Sequence, residues 1–220
     1  VIASMSVPTA SGALYEIDTR LRPSGADGLL CASVTSFALY QRENAWTWEH
    51  MALTRGRTLY GSEAARSEVG AIIAEVLTAP RDPMKLRSDV ANMRKDMAAH
   101  KPPKGELDVK LLPGGLVDME FIVHTLQLEK GEALFPQLST AIASLTESGH
   151  LSAEFAKADS LMSRLLVMIR LIAPDCETPP EPAQLLIAQS LGLADWDSLT
   201  AAIRDYRGVV MNQWQALFGP

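Results

Sequence analysis

The stretch LYEIDTRLR, residues 14–22, places charged side chains at every second position and predicts a β-strand with one charged face. Asp18, Arg20 and Arg22 lie on that face. In phosphoryl and nucleotidyl transfer a carboxylate holds Mg²⁺ while arginine neutralises phosphate charge. Asp18 would then be the metal ligand or base, and the two arginines would clamp the phosphates. A solvated strand face held by salt bridges explains the same pattern, and the residues alone leave both interpretations open.

A second pair of cations, Arg55 and Arg57, lies in ALTRGRTLY, residues 52–60, which also alternates and predicts an extended segment. Such a segment would pair with the first strand. Gly56 would permit close approach of a ligand, and arginine suits phosphate recognition. Taken alone, two arginines on an edge strand are usually surface residues.

The stretch LPGGLVDMEF, residues 112–121, runs two glycines into the start of a helix. The backbone N–H groups after Gly114 and Gly115 would be able to receive an anion there. An ordinary turn, with Asp118 as a partner of the helix dipole, explains the pattern more simply. Glu120 and His124 share a helical face but lack the further ligands that a zinc motif requires, so we do not expect a metal there.

The segment WTWEH, residues 46–50, sets two large aromatic side chains beside a carboxylate and an imidazole. Adenine stacking is one interpretation, and core aromatics with Glu49 as a helix cap are the simpler one. Basic residues are frequent from Met84 to Lys110, and they indicate either a docking face or a solvated surface.

The composition limits the classes of protein. The chain has 220 residues, 47% of them apolar, which indicates a folded protein, and its net charge of -6 argues against a nucleic-acid binder. Cys31 and Cys176 are far apart and suit a reducing cytoplasm better than a disulfide framework. We find no export signal or membrane span. Because the chain begins at Val1, we expect it to be part of a longer protein.

The order of predicted elements gives an α+β fold that is predominantly α. A further short strand is predicted at residues 108–112, where the chain turns towards the later helices. Residues 1–12 are expected to be a flexible lead-in, 13–61 the end of a sheet-containing domain, and 62–220 a helical bundle. Helices are predicted at residues 33–43, 63–79, 84–100, 116–130, 136–148, 152–173, 182–191 and 196–218.

Three separated stretches carry a resemblance to a known family: LYEIDTRLRPSGADGLL, ALYQRENAWTWEHMALTRGRTLYG and PGGLVDMEFIV. In this order they resemble the glutamine synthetase adenylyltransferases. The resemblance implies the remnant of a polymerase-beta-type nucleotidyltransferase sheet followed by a helical bundle. In that family one unit transfers AMP from ATP to a tyrosine of glutamine synthetase, and a second removes it by phosphorolysis. The sequences TRLRPSG and WTWEH are more similar to the C-terminal, adenylylating unit than to the deadenylylating one.

The resemblance also implies site residues, cofactors and partners. Asp18 matches a metal-site carboxylate, and Arg20 and Arg22 complete the catalytic motif around it. ATP and Mg²⁺ are the implied cofactors, and glutamine synthetase and a PII-type nitrogen signalling protein the implied partners. The residues expected to bind the cofactor are Arg55, Arg57, Lys110, Gly114, Gly115, Asp118 and Glu120.

One departure from the family pattern bears on activity. The family's Gly-Ser followed by an Asp-x-Asp pair is expected upstream of Asp18, and no such sequence is present. Gly61-Ser62 lies downstream and leads into a helix, so it is no substitute. Because two-metal transfer needs carboxylates for both ions, we expect this chain alone to be inactive. The alternatives are a deadenylylating unit, a regulatory helical module that binds partners, and a related uridylyltransferase unit.

Overall fold

A computed structural model describes residues 7–12 and 28–219 of the chain. Within these ranges the protein is built from nine α-helices and contains no strand. The helices are α1 (Val34–Glu43), α2 (Thr47–Leu53), α3 (Glu63–Thr78), α4 (Pro83–His100), α5 (Leu116–Lys130), α6 (Leu138–Glu147), α7 (Ala153–Ile172), α8 (Glu181–Ser190) and α9 (Trp196–Phe218). None of the described helices is long and apolar enough to cross a membrane.

Helix α5 is the centre of the bundle. Every residue from Leu116 to Leu128 is buried except Glu120, and the helix contacts α2, α3 and α4 on one side and α6, α7 and α9 on the other. A helix with apolar residues all around must be enclosed by neighbours, because it has no polar face to turn to water. Gly131 ends it in the left-handed conformation, at φ 67°.

The apolar core is divided by α5 into two main clusters. The larger one joins α5 to the later helices and includes Phe155, Met162 and Leu199, none of which is exposed to solvent. The second joins α5 to the earlier helices through residues such as Val90 and Phe121. A small third cluster lies between α1 and α3. The two halves of the bundle are therefore joined mainly through α5, and α9 also contacts α4.

Helices α4 and α5 are also joined by charge. Arg87 donates two hydrogen bonds to the Glu129 carboxylate, each of 2.8 Å. Only 6% of the Glu129 side chain is exposed, and the bond from Arg87 lowers the pKa of this carboxyl. A second pair, between Arg94 and Asp118, lies two turns further along α4 and towards the start of α5. The two pairs fix an antiparallel arrangement of these helices.

The predicted helices are confirmed, most of them to within one or two residues. Ser33 caps α1 as predicted, because its Oγ accepts a hydrogen bond of 3.1 Å from the N–H of Ser36. The last helix has the predicted bounds. Such agreement is expected where apolar periodicity and a capping residue indicate the same boundary.

The predicted sheet is not found in the described residues. Residues 47–53 form α2, and the segment from Thr54 to Tyr60 that was expected to be extended is an irregular turn and loop with no strand beside it. Residues 108–112 form turns instead of a strand, because their backbone groups bond to nearby residues of the same loop. The predicted strand at residues 14–22 lies outside the described residues.

The aromatic segment WTWEH, residues 46–50, overlaps the start of α2, and one part of its interpretation is confirmed. Glu49 Oε2 accepts a hydrogen bond of 2.9 Å from the N–H of Trp46, so Glu49 does cap the start of this helix. Tyr40 donates a second hydrogen bond to the same carboxylate. The tryptophans are not core residues, however, since 71% of Trp46 and 38% of Trp48 are exposed.

Candidate functional site

The loop before α5 is held by hydrogen bonds within the protein. The N–H of Gly115 donates to the Leu112 carbonyl at 2.8 Å, and the N–H groups of Leu116 and Val117 donate to the carbonyls of Val109 and Lys110 at 2.9 and 3.1 Å. These are the donors that an anion at the helix start would use. In this structure they are occupied by the preceding loop.

Gly114 is required by the packing of this loop against α9. Its φ is +75°, which side chains disfavour, and a Cβ atom there would lie 2.4 Å from the carbonyl oxygen of Arg207. Arg207 in turn donates from Nε to the Pro113 carbonyl at 2.8 Å. Gly114 thus allows the loop backbone to approach α9 closely.

Asp118 closes the loop from the first turn of α5. Its Oδ2 accepts from the N–H of Gly114 at 2.6 Å, and its Oδ1 accepts from Nε of Arg94. Nη2 of Arg94 donates to the Leu111 carbonyl at 3.0 Å. This geometry fits the turn interpretation of the motif, and a nucleotide-binding role of Gly114, Gly115 and Asp118 stays a prediction.

Arg55 and Glu120 face each other across α2 and α5. The Arg55 Nη1 atom lies 3.9 Å from Glu120 Oε2, and their side chains are 48% and 35% exposed. Glu120 is the one residue between Leu116 and Leu128 that is not buried, and Arg57 is also exposed nearby in the chain. An exposed guanidinium held loosely by a carboxylate remains able to bind an anionic ligand.

A group of buried polar side chains, Thr54, His124 and Gln127, lies near this pair. His124 Nδ1 lies 2.9 Å from both Thr54 Oγ1 and Gln127 Oε1. Thr54 donates its proton to the Met51 carbonyl and Gln127 uses its amide to donate to Ala133, so both oxygens are free to accept. We therefore assign the ring proton to Nδ1.

The environment keeps this histidine neutral. The pKa of His124 is lowered to about 4, chiefly by burial and to a smaller extent by the nearby Arg55 charge, against the opposing hydrogen bond to Gln127. Its Nε2 is buried without a partner in the described part of the chain. The ring thus supports the end of α2, from which Arg55 and Arg57 extend.

The remaining predicted residues fall in two places. Asp18, Arg20 and Arg22 lie outside the described residues, and Lys110 is exposed at the loop before α5. The structure brings Arg55 to Glu120 and Gly114 to Asp118, and the two pairs share only α5. Within the described ranges, no three His, Cys, Asp or Glu residues are grouped so that they could hold a metal ion.

Two of these contacts could not be predicted from the sequence. Arg94 was one of several cations in the basic stretch, and nothing distinguished it as the partner of Asp118. Thr54 and His124 are 70 residues apart and meet only because α2 packs on α5.

Two family models match the chain. Residues 1–71 match the model described as glutamate-ammonia ligase adenylyltransferase. Residues 82–218 match the model described as GlnD PII-uridylyltransferase. The first range includes the predicted charged strand together with Arg55 and Arg57, and the second contains α5 and the later helices.

Curated relatives carry the name bifunctional glutamine synthetase adenylyltransferase/adenylyl-removing enzyme. The one from Rhizobium meliloti is 54% identical over 58% of this chain and 13% of its own length. Those from Mesorhizobium japonicum and a Bradyrhizobium species are 37% and 34% identical over 93% and 99% of this chain, and over 22% and 23% of their own lengths.

These matches define a family of nucleotidyltransferases. The chain belongs to the glutamine synthetase adenylyltransferase family. It spans less than a quarter of the length of these relatives. The resemblance to this family that the three sequence motifs carry is thereby confirmed.

Proposed function

We propose that this chain is the later part of a unit that transfers AMP from ATP to a tyrosine of glutamine synthetase. The observation that carries the proposal is the match of residues 1–71 to the adenylyltransferase family, which spans the charged motif at Asp18 and the arginines after α2. Residues 13–61 would complete the nucleotidyltransferase domain and residues 62–220 would form the helical domain. The cytoplasm is the proposed location.

The described residues support the phosphate-binding part of this proposal. Arg55 and Arg57 extend from the end of α2. The Arg55 side chain lies beside Glu120, and Thr54 at the end of α2 contacts the buried His124. Cations fixed in this way can bind the triphosphate and neutralise charge as the leaving pyrophosphate forms. Lys110 is a further exposed cation for the same ligand.

The described residues do not fit a metal ion, since no group of potential ligands converges among them. The proposed metal ligand is Asp18, with Arg20 and Arg22 as its catalytic neighbours. ATP would supply the adenylyl group and Mg²⁺ would balance phosphate charge. We assign no step to the ion here.

Two reactions test the adenylylation proposal. Glutamine synthetase is incubated with ATP, Mg²⁺ and either this chain or a longer protein that includes the family's Gly-Ser and Asp-x-Asp region. The intact mass of the synthetase subunit then reports an added adenylyl group. We expect modification by the longer protein alone, and modification by neither would contradict the proposed function. Modification by this chain would contradict the expected inactivity.

The alternative activity is removal of the adenylyl group by phosphorolysis, and a second pair of reactions tests it. The same two proteins are incubated with adenylylated glutamine synthetase and inorganic phosphate. Faster removal than addition of the adenylyl group would assign the unit to deadenylylation.

A second candidate function follows from the match of residues 82–218 to the GlnD PII-uridylyltransferase model. In that case the helical domain would serve a unit that transfers UMP to a small signalling protein. Comparison of ATP with UTP in the longer protein separates the candidates, because adenylylation requires preference for ATP. Binding of a PII-type protein or glutamine synthetase to this chain without nucleotide would support a regulatory role of the helices.

A further inference from the structure

A cavity of about 460 Å³ lies between α4, α9 and the loop before α5, apart from the Arg55–Glu120 pair. Its size falls within the range of about 300–1,000 Å³ that is usual for small-molecule sites. Ala91 and Ala98 line it from α4, while Trp214 and Phe218 line it from α9. Ala91 and Ala98 are about two turns apart on α4, and Trp214 and Phe218 are about one turn apart on α9, so one face of each helix forms a wall.

The shape of the cavity results from unequal side chains on the two walls. Alanines on α4 leave a gap that their aromatic neighbours on α9 do not fill. The Trp214 and Phe218 rings are packed against each other, with centroids 4.2 Å apart and planes at 41°. A fixed aromatic wall opposite small residues suits a flat apolar group.

The floor of the cavity carries a cation with unused hydrogen-bonding capacity. Arg94 uses Nε for Asp118 and Nη2 for Leu111. Its Nη1 has no hydrogen-bond partner in the described part of the chain, and Arg94 is one of the residues that line the cavity. Because Nε and Nη2 are fixed, the remaining N–H groups are held in a defined direction.

The charges that line the cavity sum to one positive charge. Arg94 and Asp118 offset each other, and Lys95, which is exposed, adds a cation beside them. A monoanionic ligand would balance this charge, and a dianion would exceed it. A single carboxylate on an apolar body matches both the wall and the floor.

We infer that this cavity binds a small organic monocarboxylate with a flat apolar body. The body lies between the alanines of α4 and the aromatic side chains of α9, and the carboxylate accepts hydrogen bonds from Arg94 Nη1 and the Lys95 ammonium. Such a ligand would bridge α4 and α9. The inference does not depend on nucleotide transfer.

The first test compares two probes of equal shape, 2-naphthoate and its neutral analogue 2-naphthamide, by titration calorimetry with this chain. We expect naphthoate to bind with a Kd below about 1 mM and about tenfold more tightly than the amide. Equal affinities, or no heat from either probe with saturation-transfer NMR also negative, would overturn the inference.

Three variants locate the probe. Lys95→Gln keeps most of the side chain and is expected to weaken naphthoate several-fold with no effect on naphthamide. Lys85→Gln, on the same helix but lining a different cavity, is the matched control and is expected to leave both probes unchanged. Ala98→Phe places a large side chain in the cavity from an exposed position and is expected to abolish binding of both probes. An unchanged affinity in Ala98→Phe, or equal effects of the two lysine variants, would place the probe elsewhere and reject the site.

Discussion

Arg94 and Asp118 form an ion pair that joins α4 to the first turn of α5, with only 10% and 5% of their side chains exposed. The same carboxylate holds the N–H of Gly114, and the same guanidinium holds the carbonyl of Leu111. One pair thus fixes two helices and the loop between them.

Replacement of Asp118 by Asn should destabilise the protein strongly. The substitution keeps the size of the side chain but leaves the Arg94 charge buried without its counterion, which typically costs about 3–5 kcal/mol. Urea unfolding followed by circular dichroism measures the change. Glu154→Gln breaks the exposed pair with Lys157 and serves as the control, for which no measurable change is expected. A loss in Asp118→Asn no larger than in the control would show that the buried pair does not hold the loop.

Replacement of Gly114 by Ala should cost more than replacement of Gly149 by Ala. Both glycines have positive φ, at +75° and +78°, so both variants bear the strain of a left-handed alanine, about 1 kcal/mol. Only at position 114 would the new Cβ meet a backbone atom, the carbonyl oxygen of Arg207, whereas nothing lies within 4 Å at position 149. Thermal unfolding of the two variants measures the difference. Equal losses would mean that the approach to α9 is not tight.

Acid should destabilise the protein through His124. The pKa of this ring is about 4 in the folded protein and about 6.5 in an unfolded chain. The unfolded state therefore binds more protons between these values, and the free energy of unfolding falls as the pH is lowered from 6.5 towards 4. From pH 7 to pH 4 the loss is about 3 kcal/mol.

The His124→Gln variant isolates this contribution from those of the carboxyl groups. Urea unfolding at several pH values should show a shallower decline for His124→Gln than for the unchanged protein. His100→Gln, at an exposed position near the end of α4, is the control and should follow the unchanged protein. Parallel curves for all three proteins would mean that His124 does not resist protonation in the folded state.

Replacement of Arg55 by Gln should reduce adenylylation without unfolding the protein. Its contact with Glu120 is long and partly exposed, so the expected change in stability is below about 0.5 kcal/mol. Loss of one charge-assisted hydrogen bond to phosphate should lower kcat/KM for ATP by about 10–100-fold in the longer protein. Arg204→Gln, at an exposed position on α9, is the control. If Arg204→Gln and Arg55→Gln have the same activity, Arg55 has no part in nucleotide binding.

Local patterns predicted the helices well and the extended segments poorly. The last helix, from Trp196 to Phe218, was predicted from its apolar periodicity, and in the structure Asp195 caps its start. The alternation of residues 52–60 was misleading, because a short exposed loop with polar residues shows the same period as a strand. No neighbouring strand is present in the described residues to distinguish the two.

The sequence by itself determined the family, the helical character of the chain and the places where most helices begin and end. These properties depend on residues that are near one another in the chain, such as a cap and the turn that follows it. Only the tertiary structure decided that Asp118 pairs with Arg94, that Thr54 meets His124, and that α4 and α9 enclose a cavity. Such contacts join distant segments through the packing of whole helices, and the period of one helix does not specify which neighbour its side chains will face.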